Sequence, residues 1–273
     1  YGTGTFAAQK SQSLETKQHM NNIKVVIPAR YASTRLPGKP LQDLLGKPMV
    51  IRVAERVQSA LPEADVWVAT DDQRIYDVVS AAGLQVAMTR VEHESGTDRT
   101  AEMAAALAWP DDSIIINVQG DEPLIDPLLL QQFAEFCGQR SHSPAGFSMA
   151  SVMVSMDSAA DVHNANVVKL VTDANANALY FSRSPIPFVR DVEQEAWPLD
   201  AFYRHVGIYA YRLRELKLLS ATPPCALEQL EKLEQLRALY LRIPIAMMHW
   251  QGELHGGIDS PEDVARVVSV LRG

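Results

Sequence analysis

Three basic side chains occur close together in one short segment of the chain. Arg30, Arg35 and Lys39 lie within residues 27–41 (IPARYASTRLPGKPL), directly after an apolar stretch. Small residues in this segment allow the backbone to fold closely around a polyanion, with amides and cations converging on it. The segment is not a Walker A loop, because Lys39 is followed by proline and the upstream glycine is missing. Each basic residue alone could lie on the surface, but the three together predict a binding loop for nucleotide phosphates.

Two aspartates are candidates for binding a metal ion. Asp121 follows an apolar stretch in NVQGDEPLIDP (117–127), and Asp259 lies in HGGIDSPED (255–263). Mg²⁺ takes one or two carboxylate oxygens from a protein and the remainder from phosphate and water. Each aspartate also has an ordinary alternative role, in a strand-to-helix turn for Asp121 and as a helix N-cap for Asp259. We predict a magnesium site formed by the two carboxylates beside the phosphate loop.

A third candidate is the turn-rich sequence SGTDR (95–99), with Arg90 just upstream. Its polar side chains could hydrogen-bond a pyrimidine edge or a ribose. Capping of the following helix by Ser95 or Thr97 explains the same residues without a ligand, and the local sequence alone favours capping.

A group of basic, aromatic and amide side chains lies in the second half of the chain. Such groups can bind a polyhydroxylated carboxylate, with arginine giving bidentate recognition. Each could also be structural, and His205, which lacks a partner at zinc-ligand spacing, is expected to be a hydrogen-bonding group. The candidates are Arg183, Arg190, Tyr203, Arg204, His205, Tyr209, Glu234 and Gln235.

Alternating strands and helices are predicted to position these residues. Apolar β-branched runs alternate with segments of helical period through the first half, which is typical of a parallel sheet covered by helices on both faces. In such sheets ligands bind at the carboxyl ends of the strands. The predicted strands are 23–27, 65–70, 84–89 and 113–119, and the predicted helices are 48–61, 71–83 and 97–108.

The pattern changes after about residue 145. Strand-like runs follow one another there, which predicts an antiparallel or mixed extension of the sheet. One leucine-rich helix is predicted next, with Leu227, Leu230, Leu233, Leu236 and Leu241. A closing helix is expected to be capped by Asp259 or Ser260, with Pro261 in its first turn. The predicted strands of this half are 146–156, 167–173, 178–184, 205–212 and 243–250.

Composition limits the class of protein. The chain has 273 residues, a formal net charge of −8 and two cysteines. The acidic balance argues against a nucleic-acid partner, and two isolated cysteines fit a reducing compartment rather than a disulfide framework. No run approaches the roughly 20 apolar residues of a membrane-spanning helix. We expect a cytoplasmic protein with neither nucleic acid nor membrane as partner.

The first 22 residues are polar and without periodicity, so we expect a tag-derived or disordered tail. Residues 23–273 are predicted to form a single α/β domain. Its halves are 23–145, expected to bind a nucleotide, and 146–273, expected to bind a second substrate and to dimerise.

Many of these stretches together resemble the CMP-Kdo synthetase family (3-deoxy-manno-octulosonate cytidylyltransferases). The likeness runs from about residue 24 to 271 and includes IPARYASTRLPGKPL, MTR with SGTDR, INVQGDEPLI, ALYFSRSPIPF, RHVGIYAY and GIDSPEDVARV, in family order. Acylneuraminate cytidylyltransferases share part of the first motif, but the NVQGDEP, YFSR and RHVGIY blocks favour the Kdo branch. The resemblance implies a Rossmann-like, mixed but mostly parallel sheet of the nucleotide-diphospho-sugar transferase type, with a smaller β-rich dimerisation lobe.

The resemblance also implies a reaction and roles for the candidate residues. The anomeric hydroxyl of an acidic keto-sugar would attack the α-phosphorus of CTP in a magnesium-dependent homodimer, releasing pyrophosphate. By the motifs that match the family, the triphosphate would be held by Arg30, Arg35 and Lys39, and the cytidine would be surrounded by Arg90, Ser95 and Gln119. Mg²⁺ would be bound by Asp121 and Asp259. The sugar pocket would be lined by Arg183, Arg190, His205, Tyr209, Glu234 and Gln235. Arg30, Lys39, Asp121 and Asp259 would be the catalytic set.

Two further hypotheses belong to other classes. A regulatory module that binds CTP without turnover is disfavoured because both candidate metal ligands are present. A nicotinamide-dependent dehydrogenase is disfavoured because no G-x-G-x-x-G follows a strand.

Overall fold

Strands and helices alternate through the first half of the chain as the hydrophobic pattern predicts, and helices that it does not predict occur at Pro127–Ser141, Ala159–His163 and Leu213–Ala221. The structure, a computed structural model, describes residues 22–32, 36–93, 95–141 and 147–272. Arg35 of the predicted phosphate loop and residues 1–21 of the predicted tail lie outside these ranges. The described strands are β1 Ile23–Ala29, β2 Asp65–Thr70, β3 Gln85–Met88, β4 Ile114–Asn117, β5 Met149–Ser155, β6 Lys169–Thr172, β7 Ala178–Ser182, β8 Tyr203–Arg212 and β9 Ile245–His249.

Helices lie between and after these strands. The described α-helices are α1 Met49–Ala60, α2 Gln73–Ala81, α3 Gly96–Ala106, α4 Pro127–Ser141, α5 Ala159–His163, α6 Leu213–Ala221, α7 Ala226–Glu231, α8 Gln235–Tyr240 and α9 Pro261–Arg272. Short 3₁₀ turns occur at Lys39–Leu41, Gln194–Ala196 and Leu199–Ala201. Among the described helices, none is long and apolar enough to cross a membrane.

All described strands belong to one mixed sheet. Its main order is β3-β2-β1-β4-β8-β5-β9, and β6 joins β7 to β8. Pairing is parallel from β3 through β2 and β1 to β4, and antiparallel where β8 meets β4 and β5. The predicted α/β fold with a mixed sheet is therefore confirmed, while the dimerisation lobe stays a prediction.

Buried side chains pack on both faces of this sheet. Val25 and Ile27 of β1 belong to one apolar cluster, with Phe133 of α4, whereas Val26 belongs to the opposite cluster, with Leu216 of α6. Successive residues of a strand point to opposite faces, so a continuous apolar run serves both cores. The same rigid layer fixes the strand ends from which the site residues project.

The prediction of one leucine-rich helix over residues 227–241 is wrong, because two short helices, α7 and α8, occupy this stretch. Lys232 adopts a left-handed conformation (φ 54°) and ends α7, and α8 begins at Gln235. Leu230 is 81% exposed and Leu227 is 42% exposed, so two of the five leucines face outward instead of packing on one buried face. The chain turns at this point because Arg237 of α8 folds back onto α7 to pair with Glu228.

Candidate active site

A polar cavity of about 330 Å³ opens at the carboxyl ends of β1 and β4. This is the edge at which ligands bind in α/β sheets. Six of the residues that line it are predicted site residues: Arg30, Lys39, Ser95, Gln119, Asp121 and Asp259. The cavity therefore gathers residues from four separate segments of the sequence.

Lys39 lies between the two candidate metal ligands. Its Nζ is 2.6 Å from Asp121 Oδ2 and 3.0 Å from Asp259 Oδ1, and its side chain is 16% exposed. Gly38 directs the chain into this position with a positive φ of 67°, and a Cβ there would come within 3.2 Å of the Tyr31 ring. A glycine before the lysine is thus required by both backbone conformation and space.

The segment before α9 is held against the end of β4. The amide of Ile258 donates to the carbonyl of Asp121 over 2.8 Å, and a Cβ on Gly257 would lie 3.0 Å from that carbonyl oxygen. At the other strand end, a Cβ on Gly120 would lie 2.8 Å from the carbonyl oxygen of Pro28. These close backbone approaches bring two carboxylates that are far apart in sequence to one ammonium group.

Helix α9 fixes the direction of Asp259. Ser260 Oγ accepts a hydrogen bond from the amide of Asp263, and the Asp263 carboxylate accepts from the amides of Asp259 and Ser260, at 3.0 Å each. The hydrogen bond from the Asp259 amide, followed by others, lowers the pKa of Asp263 to about 2. Ser260 is therefore the capping residue, which leaves the Asp259 carboxylate to contact Lys39.

The opposite end of the cavity is formed by the start of α3. Ser95 Oγ accepts from the amide of Asp98 at 3.1 Å, so it caps the helix as the alternative interpretation predicts, and it also lines the cavity. Arg99, which sequence reasoning missed, lines the cavity as well and pairs with Asp71 at 2.7 Å with only 3% of its side chain exposed. Nothing in the local sequence separates this buried arginine from a surface one.

Arg90 is placed differently from the other predicted cytidine contacts. Its side chain is 70% exposed and lies 3.5 Å from Glu102. His93, which was not predicted, lines the cavity and contacts the same carboxylate. Hydrogen bonds from the Arg90 amide and from His93 outweigh burial and lower the pKa of Glu102.

A second polar cavity, of about 370 Å³, adjoins the first. Gln119 lines both, so the two spaces meet at the end of β4. The predicted residues that line the second cavity are Arg204, His205, Tyr209, Glu234 and Gln235, joined by Lys232, which was not predicted.

The ionisable groups inside the second cavity are biased toward their neutral forms. Burial lowers the pKa of His205 to about 3 and raises the pKa of Tyr209 well above its usual value. Burial also raises the pKa of Glu234. His205 and Tyr209 therefore offer uncharged hydrogen-bonding groups at neutral pH, and burial disfavours the charged form of Glu234.

Two predicted sugar-binding arginines lie elsewhere. Arg183 donates to the backbone carbonyls of Ala165 and Glu231, which ties it to α7. Arg190 is 86% exposed and pairs with Asp191 at 3.2 Å. In the described part of the chain, neither arginine lines the first or the second cavity.

The fold and the site together define an α/β nucleotidyltransferase, because a basic loop and two carboxylates converge at the strand ends of a parallel half-sheet. Residues 24–245 match the family described as cytidylyltransferase. The chain belongs to the cytidylyltransferase family.

Similar proteins extend over most of the chain. The 3-deoxy-manno-octulosonate cytidylyltransferase 2 of Paraburkholderia phytofirmans is 51% identical over 251 residues, which cover 92% of this chain and 94% of that protein. The protein of the same name from Burkholderia ambifaria is 52% identical over 252 residues, covering 92% of this chain and 93% of the relative. A solved structure described as CMP:2-keto-3-deoxy-manno-octonic acid synthetase complexed with CTP has a TM-score of 0.81 and 40% identity, covering 92% of this chain and 98% of that one. These similarities confirm the resemblance predicted from the motifs.

Proposed function

We propose that this chain transfers CMP from CTP to the anomeric hydroxyl of 3-deoxy-D-manno-octulosonate (Kdo), giving CMP-Kdo and pyrophosphate as a step of lipopolysaccharide synthesis. The names of the similar proteins support this reaction. The structural observation that carries the proposal is the position of the Lys39 ammonium between Asp121 and Asp259, in a cavity that adjoins a second polar cavity.

The donor set of the first cavity fits Mg²⁺. Asp121 and Asp259 present hard carboxylate oxygens to one positive charge, and such oxygens are the protein ligands that Mg²⁺ takes in addition to phosphate. In the described residues no group of three or more His, Cys, Asp or Glu could hold a metal by itself, which fits an ion that completes its coordination with phosphate. When bound, the ion would act as a Lewis acid and template for the phosphate and the attacking hydroxyl.

The residues of the first cavity would position CTP and neutralise charge. Lys39 supplies a cation where the pyrophosphate gains negative charge, and Arg30 supplies another at the exposed edge of the cavity. Ser95 and Gln119 would contact the cytidine, and Arg35 would add to the phosphate loop. Nucleotidyl transfer needs positioning and electrostatic stabilisation rather than a covalent relay, so this set is sufficient in kind.

The second cavity would hold the acidic sugar. His205, Tyr209, Glu234 and Gln235 would hydrogen-bond its hydroxyl groups, and Gln119 marks the boundary at which the anomeric hydroxyl approaches the nucleotide. The side chains of Arg183 and Arg190 contact other groups in this structure. We therefore propose that the chain segments next to these two residues, rather than their side chains, contact the sugar.

Pyrophosphate release tests the reaction. The full chain with CTP, Mg²⁺ and Kdo should release pyrophosphate, and N-acetylneuraminate should replace Kdo poorly. Preference for the neuraminate would favour the acylneuraminate branch, and CTP binding without release for any keto-sugar acid would favour a regulatory module.

A matched pair of variants tests the metal proposal. Asp259→Asn should raise the Mg²⁺ concentration needed for half-maximal activity and should weaken Mg²⁺-dependent CTP binding measured by calorimetry. Asp77→Asn, on the exposed side of α2, serves as the control and should change neither quantity. Equal Mg²⁺ dependence in the two variants would remove Asp259 from the site.

We also propose a homodimer formed through residues 146–273. Large exposed apolar side chains of this half support an interface, among them Leu179, Phe188, Leu230 and Tyr240. Sedimentation velocity should show a dimer that Leu230→Glu weakens, while Leu128→Glu, exposed on α4 in residues 23–145, leaves it intact.

The proposed place of action is the cytoplasm. The reaction consumes CTP, and both Cys137 and Cys225 are free, buried thiols, which a reducing compartment maintains.

A further inference from the structure

A β-bulge lies beside the second cavity. Ser151 of β5 is opposite Tyr209 of β8, whereas the next residue of β5 is opposite Val206. Within this described pairing, Gly207 and Ile208 are the extra residues on β8. Bulges of this kind bend a strand and redirect its side chains, often next to a functional site.

The bulge brings two side chains of the second cavity together. His205 and Tyr209 are four residues apart, which in a regular strand corresponds to roughly 13 Å. Their ring centroids are instead 5.4 Å apart, and both rings line the second cavity. The contacts that hold the bulge in place therefore also determine how the two rings are arranged in this cavity.

Ser151 holds the bulge from the buried side. Its Oγ is 2.8 Å from the carbonyl oxygen of Ile208, 3.2 Å from that of Val206 and 2.8 Å from Nε2 of His205. The residue is fully buried, so within the described residues these three groups surround its hydroxyl. Ser151 lies in none of the candidate motifs, and the sequence did not predict it as a site residue.

The proton count decides the direction of these hydrogen bonds. The Ser151 hydroxyl has one hydrogen, and the carbonyl oxygens of Val206 and Ile208 can only accept. A hydroxyl that donates to the Ile208 carbonyl must accept from the imidazole, so Nε2 of His205 carries the hydrogen. Burial keeps the ring neutral, which leaves Nδ1 with a free lone pair.

We propose that Ser151 is a positioning residue that holds His205 as the Nε2–H tautomer, so that Nδ1 accepts a hydrogen bond from a hydroxyl of the substrate in the second cavity. Nδ1 faces Gln235, whose Nε2 lies 3.5 Å away. This contact is long, and a sugar hydroxyl is a donor that would replace it. The substrate part of this inference rests on the proposed function, whereas the tautomer does not.

The tautomer is measured directly in the ligand-free protein. Two-bond ¹H–¹⁵N correlation spectra separate a protonated from a bare imidazole nitrogen, and His205→Gln identifies the signals of this ring by their loss. We expect protonated Nε2 and bare Nδ1. A spectrum with protonated Nδ1 overturns the inference, and this measurement stands even if a Ser151 variant fails to fold.

Kinetics test the effect on the substrate. Ser151→Ala should give a mixture of tautomers and raise KM for the sugar acid roughly tenfold, the equivalent of one hydrogen bond, with KM for CTP unchanged. Ser151→Thr, which restores the hydroxyl, should recover most of the loss. Ser155→Ala is the matched control, because Ser155 lies on the same strand with its Oγ 3.0 Å from Nε2 of His249, and it should behave like the unaltered protein.

The outcomes separate the two proposals. If the unaltered protein shows protonated Nε2 but consumes no sugar acid, the proposed function fails and the substrate role of Nδ1 fails with it. If the sugar acid is consumed and Ser151→Ala, folded, leaves KM for the sugar unchanged, the inference about Ser151 fails and the proposed function stands.

Discussion

A buried ion pair sets the turn between α7 and α8, and its removal gives the sharpest prediction for stability. Arg237 Nε and Nη2 donate to the two carboxylate oxygens of Glu228 at 2.8 and 2.5 Å, with 7% and 11% of the side chains exposed. The guanidinium also donates to the carbonyls of Leu219 and Thr222, at 3.0 Å each. The hydrogen bonds to Glu228 raise the pKa of Arg237, against the lowering effect of burial.

Glu228→Gln removes the charge and keeps the shape. Because it leaves a buried guanidinium without its counter-charge, we expect the free energy of unfolding to fall by about 3 kcal/mol. The two carbonyl partners of Arg237 remain, which places the loss at the lower end for broken buried pairs. For a chain of this length the melting temperature should fall by roughly 6–12 °C.

Urea unfolding followed by circular dichroism measures the loss. Glu55→Gln is the control, because Glu55 forms a comparable ion pair with Lys47 at 2.7 Å that is about half exposed, and it should cost less than about 1 kcal/mol. The double variant Glu228→Gln with Arg237→Met should show a coupling energy of about 2 kcal/mol. Additive effects in this cycle, or a loss for Glu228→Gln no larger than the control, would refute the argument.

The same variant should affect the second cavity. Glu234 directly precedes α8 and Gln235 is its first residue, at the turn that the ion pair sets. Folded Glu228→Gln should therefore show a raised KM for the sugar acid at an unchanged KM for CTP. An equal rise in both constants would indicate a general loosening instead.

Further predictions concern acid stability, backbone crowding and catalysis. The pKa of His205 is about 3 in the folded chain and about 6.5 when unfolded, so the unfolded state binds the extra proton and stability falls as pH decreases between these values. Lowering the pH from 7 to 5 should cost the unaltered protein about 2 kcal/mol more than His205→Gln, measured by urea unfolding at both pH values. Gly120→Ala should lose about 1–3 kcal/mol of stability through its contact with a backbone carbonyl, while Gly207→Ala, which meets nothing within 4 Å, should lose under about 0.5 kcal/mol. Lys39→Ala should lower kcat by at least on the order of 10²-fold in the pyrophosphate assay.

Sequence patterning predicts the strands of the first half because each carries a local signal. Continuous apolar runs mark the buried strands, and helices α1 and α2 have one apolar face. Helix α4, Pro127–Ser141, is not among the predicted elements. Its buried side chains do recur at helical spacing, at Leu129, Leu130, Phe133, Ala134 and Cys137, so the local signal for this helix is present in the sequence.

The site residues that sequence reasoning missed depend on contacts across the fold. Arg99 is distinguished by its pair with Asp71, and Ser151 by its hydrogen bonds to β8, neither of which leaves a local pattern. Lys39, Asp121 and Asp259 could be predicted from the sequence because each occurs in a segment of unusual composition. Their contact in space required the tertiary structure.

The two cavities treat charge in opposite ways, and this limits how an acidic sugar can bind. In the first cavity Lys39 pairs with two aspartates, so polyphosphate can replace the carboxylates at the ammonium and a divalent ion can replace the ammonium at the carboxylates. In the second cavity burial disfavours the charged forms of His205 and Glu234, so a carboxylate placed among them would lack a counter-charge. Arg204 and Lys232 are exposed on the lining of the same cavity. We therefore expect the sugar hydroxyls to lie inside, toward the neutral groups, and the carboxylate to lie at the rim, where these two cations can reach it.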